Sequence, residues 1–318
     1  MSKALALWKT IRPVNLLIMA LTMWGVYGAA MNLTDHIDRQ PILFALLTFS
    51  IVLMAAGGNI INDIEDMEVD SFNNPGKNIV GQILPTNYAL RLYRITTTAG
   101  VIIGLIISFV YRDPYLGFLI VFIAASLWLY SIFFQKLMLI GNLTIAMLCG
   151  ILPLLVIVQM NYEGLSTTKP DEFDFLDSLG MAMSQVLAEL ICIVYGVFAF
   201  MTTLIREIIK DMEDMDGDSK AHYRTLPIKY GFHRARTVSV GLTILMLTLL
   251  FVLLVQSLLN EDCPKQIPLL TAFVLLPLLF SLYKMTQMSS SSDASSISSW
   301  LKISMGIGIA TTIFFWFI

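Results

Sequence analysis

One acidic phrase occurs twice in the chain, as NIINDIEDMEVD at residues 59–70 and as EIIKDMEDMDGD at residues 207–218. Aligned without a gap, the two segments agree at seven of twelve positions, and both contain the pattern DxxDxxxD. In a helix, positions i, i+3 and i+7 share one face, so each copy predicts a stripe of three carboxylates. Crowded carboxylates repel one another unless a cation lies between them. Two facing stripes would suit Mg²⁺, which binds few carboxylates and leaves room for substrate phosphate oxygens.

The composition is that of a membrane protein. Of the 318 residues, 57% are hydrophobic and only 14% are charged, and the mean hydropathy is +0.76. Soluble domains have nearer ~25% charged residues, so we predict a polytopic membrane protein. The three cysteines lack CxxC spacing and the three histidines lack HxxxH or HExxH spacing. Neither a disulfide framework nor a histidine metal site is therefore indicated.

Nine apolar stretches are long enough, or nearly so, to cross a hydrocarbon core that requires about 20 residues. We interpret the first as a retained span, because it is longer than the apolar region of a signal peptide and lacks a clear cleavage site. The stretches are residues 13–32, 41–61, 95–111, 115–134, 137–160, 179–205, 237–259, 267–283 and 300–318.

The basic residues are sorted by side of the membrane. With the N-terminus in the cytoplasm, the opposite loops hold only Arg39, Arg112, Lys169 and Lys265, and the remaining sixteen of the 20 Lys and Arg are cytoplasmic. The longest opposite loop, 161–178, is acidic and includes Glu163. The positive-inside rule therefore predicts an N-in, C-out protein with both acidic phrases in the cytoplasm. We expect a multi-pass protein of the plasma (inner) membrane whose active site faces the cytoplasm.

The duplicated phrase follows spans 2 and 6, which suggests an internal repeat of four spans with a ninth added. We expect Asp63–Asp70 and Asp211–Asp218 to extend their transmembrane helices into the cytosol. No soluble domain is evident, so residues 1–318 are interpreted as one domain. Polar residues inside spans are costly and often functional, and Asn15, Asn142, Gln185 and Glu189 are of this kind.

Basic side chains should flank a diphosphate site, because the leaving group carries more charge than metal ions alone conveniently neutralise. Arg206 and Lys210 have the strongest case, since they share a helix with Asp211 and Asp214. All the candidates can also be explained as positive-inside residues at the lipid headgroups. The candidates are Lys77, Arg91, Arg94, Lys136, Arg206, Lys210 and Arg224.

With Asn62 before it, the first phrase reads NDxxDxxxD, and together with the second phrase and nine spans it resembles the UbiA superfamily of intramembrane prenyltransferases over nearly the whole chain. The chain departs from the family pattern in two places. Lys77-Asn78 replaces an Arg-Pro, and Phe133 and Gln135 stand where a basic residue is expected before Lys136. Matching segments are IRPVN (11–15), NNPGK (73–77), VG (80–81), LYS (129–131) and GN (141–142), while REIIKD (206–211), GD (217–218) and RTLPI (224–228) look closest to the digeranylgeranylglyceryl phosphate synthase branch.

The resemblance implies an all-α bundle with two Asp-rich motifs at the cytoplasmic mouth of a central cavity. Carried onto this chain, it implies that Mg²⁺ and diphosphate are held by Asn62, Asp63, Asp66, Asp70, Asp211, Asp214 and Asp218, with Asp66, Asp70, Asp214 and Asp218 as the catalytic carboxylates. The expected substrate-binding residues are Asn15, Asn62, Lys77, Tyr130, Lys136, Arg206, Lys210 and Arg224.

The activity implied is Mg²⁺-dependent transfer of a polyprenyl group, expected to be geranylgeranyl, from its diphosphate to a lipid acceptor. The hydroxyl of geranylgeranylglyceryl phosphate is the first expectation for the acceptor, and an aromatic ring of quinone biosynthesis is the alternative. Membrane lipid is the other expected partner, and no nucleic acid is. A divalent-cation transporter would need acidic residues deep in several spans, where only Glu189 qualifies. A non-catalytic scaffold would leave the duplicated motif unexplained.

Overall fold

The computed structural model describes residues 2–34, 39–67, 79–167, 175–260 and 266–314. Within these ranges the chain forms α-helices joined by short loops, two of which contain a 3₁₀ turn, and no extended strand. The helices are α1 (Lys3–Ile11), α2 (Pro13–Asn32), α3 (Pro41–Glu65), α4 (Thr86–Tyr111), α5 (Pro114–Ile132), α6 (Ile140–Thr167), α7 (Phe175–Glu213), α8 (Met215–Lys220), α9 (Leu226–Tyr230), α10 (Phe232–Leu259), α11 (Gln266–Gln287) and α12 (Ala294–Phe314).

Eight helices in the described part of the chain are long and apolar enough to cross a membrane, namely α2 to α7, α10 and α11. The predicted all-α membrane bundle is confirmed. The ninth predicted span, 300–318, overlaps α12, but its last residues lie outside the described ranges. The count of nine therefore stays a prediction.

Proline begins several of these helices. Pro13, Pro41 and Pro114 occupy the first positions of α2, α3 and α5. Proline suits this position because it lacks an N–H that would be unsatisfied there and its φ angle is already helical. Before α5, the Asp113 side chain accepts from the N–H groups of Tyr115 and Leu116, which caps the helix.

Helix packing depends on glycines at close crossings. A Cβ on Gly100 of α4 would lie 2.8 Å from the Ser50 carbonyl oxygen of α3 and 2.7 Å from Met54 Cγ. The Ser50 hydroxyl donates to the Gly100 carbonyl at 2.7 Å. At the α6–α7 crossing, a Cβ on Gly196 would lie 2.9 Å from the Gly150 carbonyl oxygen. Small residues allow this approach, which is how membrane helices gain van der Waals contact.

The two acidic phrases end their helices at equivalent residues. Helix α3 ends at Glu65 and α7 at Glu213, and the next residues, Asp66 and Asp214, have nearly the same backbone angles (φ −84°, ψ 1° and φ −89°, ψ 4°). The prediction of one unbroken helix through Asp211–Asp218 is wrong, because the chain breaks at Asp214 before α8 begins. Like charges one turn apart oppose helix continuation. For the first phrase, residues beyond 67 lie outside the described ranges.

The helices that come before α3 and α7, which carry the two acidic phrases, also begin alike. Arg12, before α2, and Leu139, before α6, both adopt left-handed backbone angles, with φ of 53° and 57°. Asn15 and Asn142 are each the third residue of the helix that follows. The repeat suggested by the acidic phrases therefore extends to the start of the preceding helix in each half.

A buried carboxylate marks the end of the bundle away from the motifs. Glu163 is completely buried in α6, where its Oε1 accepts from Tyr27 Oη at 3.0 Å, Gln40 N at 2.7 Å and Gln159 Nε2 at 2.6 Å. The expectation that Glu163 belongs to an exposed acidic loop is wrong. Several donors from other segments make burial of such a group tolerable. From here, the 25 residues of α3 rise about 37 Å toward the first motif.

Candidate active site

The end of α3 positions the first motif. Asp66 is held by three side chains: its Oδ2 accepts from Asn62 Nδ2 at 2.5 Å, and its Oδ1 accepts from Gln135 Nε2 at 2.8 Å and Tyr223 Oη at 3.4 Å. Asn62 lies one helical turn before Asp66. Gln135 comes from the 3₁₀ turn Phe134–Lys136, and Tyr223 follows α8. This carboxylate is thus oriented by three separate parts of the chain.

Asp63, one turn earlier, forms an ion pair. Its Oδ1 lies 2.7 Å from Arg12 Nη2, at the start of α2. The Arg12 side chain is 40% exposed and that of Asp63 is 18% exposed, so solvent screening makes the pair a modest contribution to stability. Asp63 therefore has a cationic partner within the protein.

The second motif is more deeply enclosed. Asp211 Oδ2 accepts from Asn142 Nδ2 at 2.9 Å, and Asn142 is only 7% exposed. Burial raises the pKa of the Asp214 carboxyl, an effect that nearby Lys210 opposes. Burial also raises the pKa of Asp218 to about 7, and the neighbouring Asp214 carboxylate adds to the rise. These desolvated carboxylates lack sufficient positive charge around them, which is the situation that a bound divalent cation relieves.

The structure brings the two motifs to the same place. Tyr223 Oη contacts Asp66 of the first motif, and the Tyr223 backbone N–H donates to the Asp218 carbonyl oxygen of the second at 2.9 Å. The Asp66 carboxylate also contributes to the raised pKa of Asp218. The expectation that the two acidic phrases face each other is therefore met by Asp66 and Asp218. Asp70 lies outside the described residues.

The donor set fits Mg²⁺ that is shared with a substrate. In the described ranges, no three His, Cys, Asp or Glu side chains converge closely enough to hold an ion by themselves. Mg²⁺ characteristically takes one or two protein carboxylates and completes its octahedron with water and substrate phosphates. Facing carboxylates that are partly desolvated and crowded by like charge suit this arrangement. They do not form an all-protein cage.

The predicted cationic residues differ in their surroundings. The Arg206 guanidinium pairs with the adjacent Glu207 at 2.5 Å, whereas Lys210 and Arg224 have exposed side chains. Lys136 Nζ lies 5.9 Å from the centroid of the Tyr223 ring, within the range of a cation–π interaction. Among the remaining predicted substrate contacts, Asn15 is exposed on the first turn of α2, Tyr130 is half-buried near the end of α5, and Lys77 lies outside the described residues.

Several residues of the site were not among the predicted site residues. Asn142 had been noted as a polar residue within a span and Arg12 lies in the IRPVN segment, so the sequence carried a signal for both. Glu207 lies in the REIIKD segment, whereas Tyr223 carried no signal, because a tyrosine beside charged segments is common. Gln135 had been noted only as a departure from the family pattern. The residues concerned are Arg12, Gln135, Asn142, Glu207 and Tyr223.

A bundle of membrane helices with two carboxylate motifs at one end is typical of an intramembrane prenyltransferase. Residues 18–306 match the UbiA prenyltransferase family, and the chain belongs to that family. The predicted family and its enzymatic class are confirmed.

Individual relatives and solved structures show which members of the family this chain is similar to. The chain is 28% identical over 305 residues to the digeranylgeranylglyceryl phosphate synthase of Methanosphaera stadtmanae, covering 95% of each protein. A solved structure concerning digeranylgeranylglyceryl phosphate synthase in membranes superposes with a TM-score of 0.63 at 22% identity, covering 98% of both chains. A UbiA homolog from Archaeoglobus fulgidus bound to GPP and Mg²⁺ superposes with a TM-score of 0.56 at 16% identity, covering 97% of this chain and 99% of that one. At these identities, the two solved structures support the fold.

Proposed function

We propose that the chain transfers a geranylgeranyl group from geranylgeranyl diphosphate to the hydroxyl of geranylgeranylglyceryl phosphate, with Mg²⁺ as cofactor. The observation that carries this proposal is the meeting of Asp66 and Asp218 from two acidic motifs at one end of a membrane bundle. The digeranylgeranylglyceryl phosphate synthase relative supports the acceptor, and the homolog bound to GPP and Mg²⁺ supports the donor class and the cofactor.

The proposed roles follow from the positions of the carboxylates. Asp66, Asp70, Asp214 and Asp218 would hold the cation, with Asn62, Asp63 and Asp211 completing the polar wall. When bound, Mg²⁺ supplies Lewis acidity and neutralises charge that develops on the diphosphate leaving group. The allylic C–O bond would break with its electron pair leaving on the diphosphate, the acceptor oxygen would bond to the allylic carbon, and the hydroxyl proton would pass to the departing diphosphate, so the reaction needs no protein nucleophile. Enclosure by the bundle would keep water from competing with the acceptor.

The acceptor proposal is consistent with the charges beside the second motif. Geranylgeranylglyceryl phosphate is an anion and needs a cationic contact that a neutral ring would not require. Glu207 pairs with Arg206, and among the predicted contacts beside this motif Lys210 and Arg224 are exposed. We therefore propose Lys210 and Arg224 as the contacts for the acceptor phosphate, and Lys136 for the diphosphate.

We expect labelled geranylgeranyl diphosphate to alkylate geranylgeranylglyceryl phosphate in competition with hydroxybenzoate and dihydroxynaphthoate. Arg224→Gln should raise the acceptor KM with little change in the donor KM, because only the acceptor phosphate loses its contact. The matched control is Arg234→Gln, another exposed arginine whose side chain lies over the Tyr230 ring. Efficient transfer to an aromatic ring with none to the glycerol hydroxyl would support the quinone alternative instead.

Family membership supports a prenyltransferase over a divalent-cation transporter. In the structure, Glu189 accepts from Gln185 Nε2 at 3.3 Å, and this pair contacts Asn161 rather than the acidic motifs. The carboxylate that would have been the deepest ion site of a transporter is thus part of a separate polar group.

We further propose that the chain lies in the plasma (inner) membrane with the active-site end in the cytoplasm. The distribution of Lys and Arg between the loops supports this orientation. The structure divides the loops into two ends: the motifs, Gln135 and Tyr223 share one, and Gln40 and Glu163 share the other.

Cysteine labelling tests the orientation. In a variant whose three native cysteines are replaced by serine, we expect Ser219→Cys to react with an impermeant maleimide only after the membrane is opened. Asn161→Cys should react in intact cells. Both positions are exposed and lie at opposite ends of the bundle. Reaction of both from the same side would contradict the predicted order of spans.

A further inference from the structure

Two segments connect the acidic motifs in the structure, and we call them the inter-motif strap: residues 135–137 between α5 and α6, and residues 223–224 after α8. They pair through an isolated bridge between Leu137 and Arg224, in which the Arg224 N–H donates to the Lys136 carbonyl oxygen at 3.0 Å. Lys136 also places its ammonium near the Tyr223 ring. Backbone and side-chain contacts therefore hold the two segments of the strap together.

Each segment of the strap supplies one hydrogen-bond donor to Asp66 Oδ1. Gln135 Nε2 donates to Asp66 Oδ1 and to the Ser131 carbonyl oxygen, both at 2.8 Å. Both amide hydrogens are thus used, and the side chain is fixed between the end of α5 and the first motif. Tyr223 Oη donates to the same Oδ1 at 3.4 Å, and the Tyr223 backbone N–H donates to the Asp218 carbonyl oxygen.

From this geometry we infer that Gln135 and Tyr223 are positioning residues that hold the Asp66 carboxylate in register with the second motif for metal binding. Hydrogen-bond partners that orient a carboxylate in this way tune how well it binds a metal ion.

This inference rests on the proposed Mg²⁺-dependent prenyl transfer, and its test is a titration of activity with Mg²⁺. Loss of a partner that orients a metal ligand typically costs about 10–100-fold in metal affinity or activity. We expect Gln135→Leu and Tyr223→Phe each to raise the Mg²⁺ concentration for half-maximal diphosphate release by about 10-fold. The rate at saturating Mg²⁺ should change much less, because the ligand itself remains.

Matched controls separate positioning from general damage. Gln287→Leu and Tyr230→Phe alter an exposed glutamine and an exposed tyrosine that lie outside the strap, and both should titrate as the native protein does. The double variant Gln135→Leu/Tyr223→Phe should shift the Mg²⁺ requirement by less than the product of the single shifts, because both residues act on one oxygen. Gln135→Asn keeps the amide but shortens the side chain. It should need less Mg²⁺ for half-maximal diphosphate release than Gln135→Leu and more than the native protein.

The outcomes distinguish the inference from the function on which it rests. Diphosphate release that does not depend on Mg²⁺ in the native protein would overturn the proposed function. A native protein that requires Mg²⁺, with strap variants that need no more of it, would overturn the inference alone. Equal loss of rate at all Mg²⁺ concentrations would also overturn it, since that result indicates a structural role. Thermal unfolding without Mg²⁺ should be the same for Gln135→Leu and the native protein.

Discussion

Asp214→Ala is expected to abolish prenyl transfer while the protein remains folded in the membrane. Asp214 is the middle carboxylate of the second motif, directly after α7, and the proposed cation would offset its repulsion with the neighbouring Asp218. Loss of a residue that only orients a metal ligand costs about 10–100-fold in metal affinity or activity. Removal of the ligand itself should therefore lower the rate by more than about 100-fold. Asp66→Ala should behave alike, because Asp66 holds the equivalent position after α3.

Asp216→Ala provides the matched control. Asp216 lies two residues away and is exposed, but it falls outside the DxxDxxxD pattern. Release of diphosphate from labelled geranylgeranyl diphosphate, measured at saturating Mg²⁺, should be nearly unchanged in this variant. If Asp66→Ala and Asp214→Ala both turned over at near-native rates, the assignment of the two motifs to metal binding would be wrong.

Gly100→Val is expected to destabilise the bundle strongly. A Cβ at this position would come within 2.8 Å of the Ser50 carbonyl oxygen, which belongs to the backbone of α3 and cannot move alone. Helix α4 would have to move away from α3, and the 2.7 Å hydrogen bond from Ser50 Oγ to the Gly100 carbonyl would be lost. Overpacking of this kind typically costs about 1–3 kcal/mol or more.

Thermal unfolding of the detergent-solubilised protein measures this effect. Gly241→Val is the control, because Gly241 lies in α10 and a Cβ there would meet no atom within 4 Å. The control should unfold near the native temperature, and Gly100→Val should unfold several degrees lower with loss of activity, since α3 carries the first motif. Equal unfolding temperatures for the two variants would contradict the close α3–α4 crossing.

The sequence predicts the architecture well and points to the candidate carboxylates, because both depend on local patterns. Long apolar runs predict the membrane helices, and the period of DxxDxxxD places Asp66 and Asp214 at the site. The partners of those carboxylates do not follow from any such period. Gln135 and Asn142 each lie 69 residues from the carboxylate that they contact, and Tyr223 lies 157 residues from Asp66.

Helix ends were harder to predict for a different reason. Glu163 was expected in a solvated loop, since a charged residue is normally excluded from a bundle. The loop prediction failed because donors on Tyr27, Gln40 and Gln159 meet at one point only after the chain has folded. The break after Glu213 has a local cause: the spacing of DxxDxxxD suggested a continuous helix, but like charges one turn apart oppose its continuation.

The shared end points of α3 and α7 have a consequence for the order in which ligands bind. An α-helix carries a macrodipole equivalent to about half a negative charge at its carboxyl end. Both motif helices direct that end toward the site, where it adds to the field of the aspartates. A bare diphosphate approaching this field is repelled, whereas its complex with magnesium is repelled much less because the metal cancels two of its negative charges. We therefore expect the donor to enter together with its metal, and the same field favours departure of the diphosphate once metal is lost.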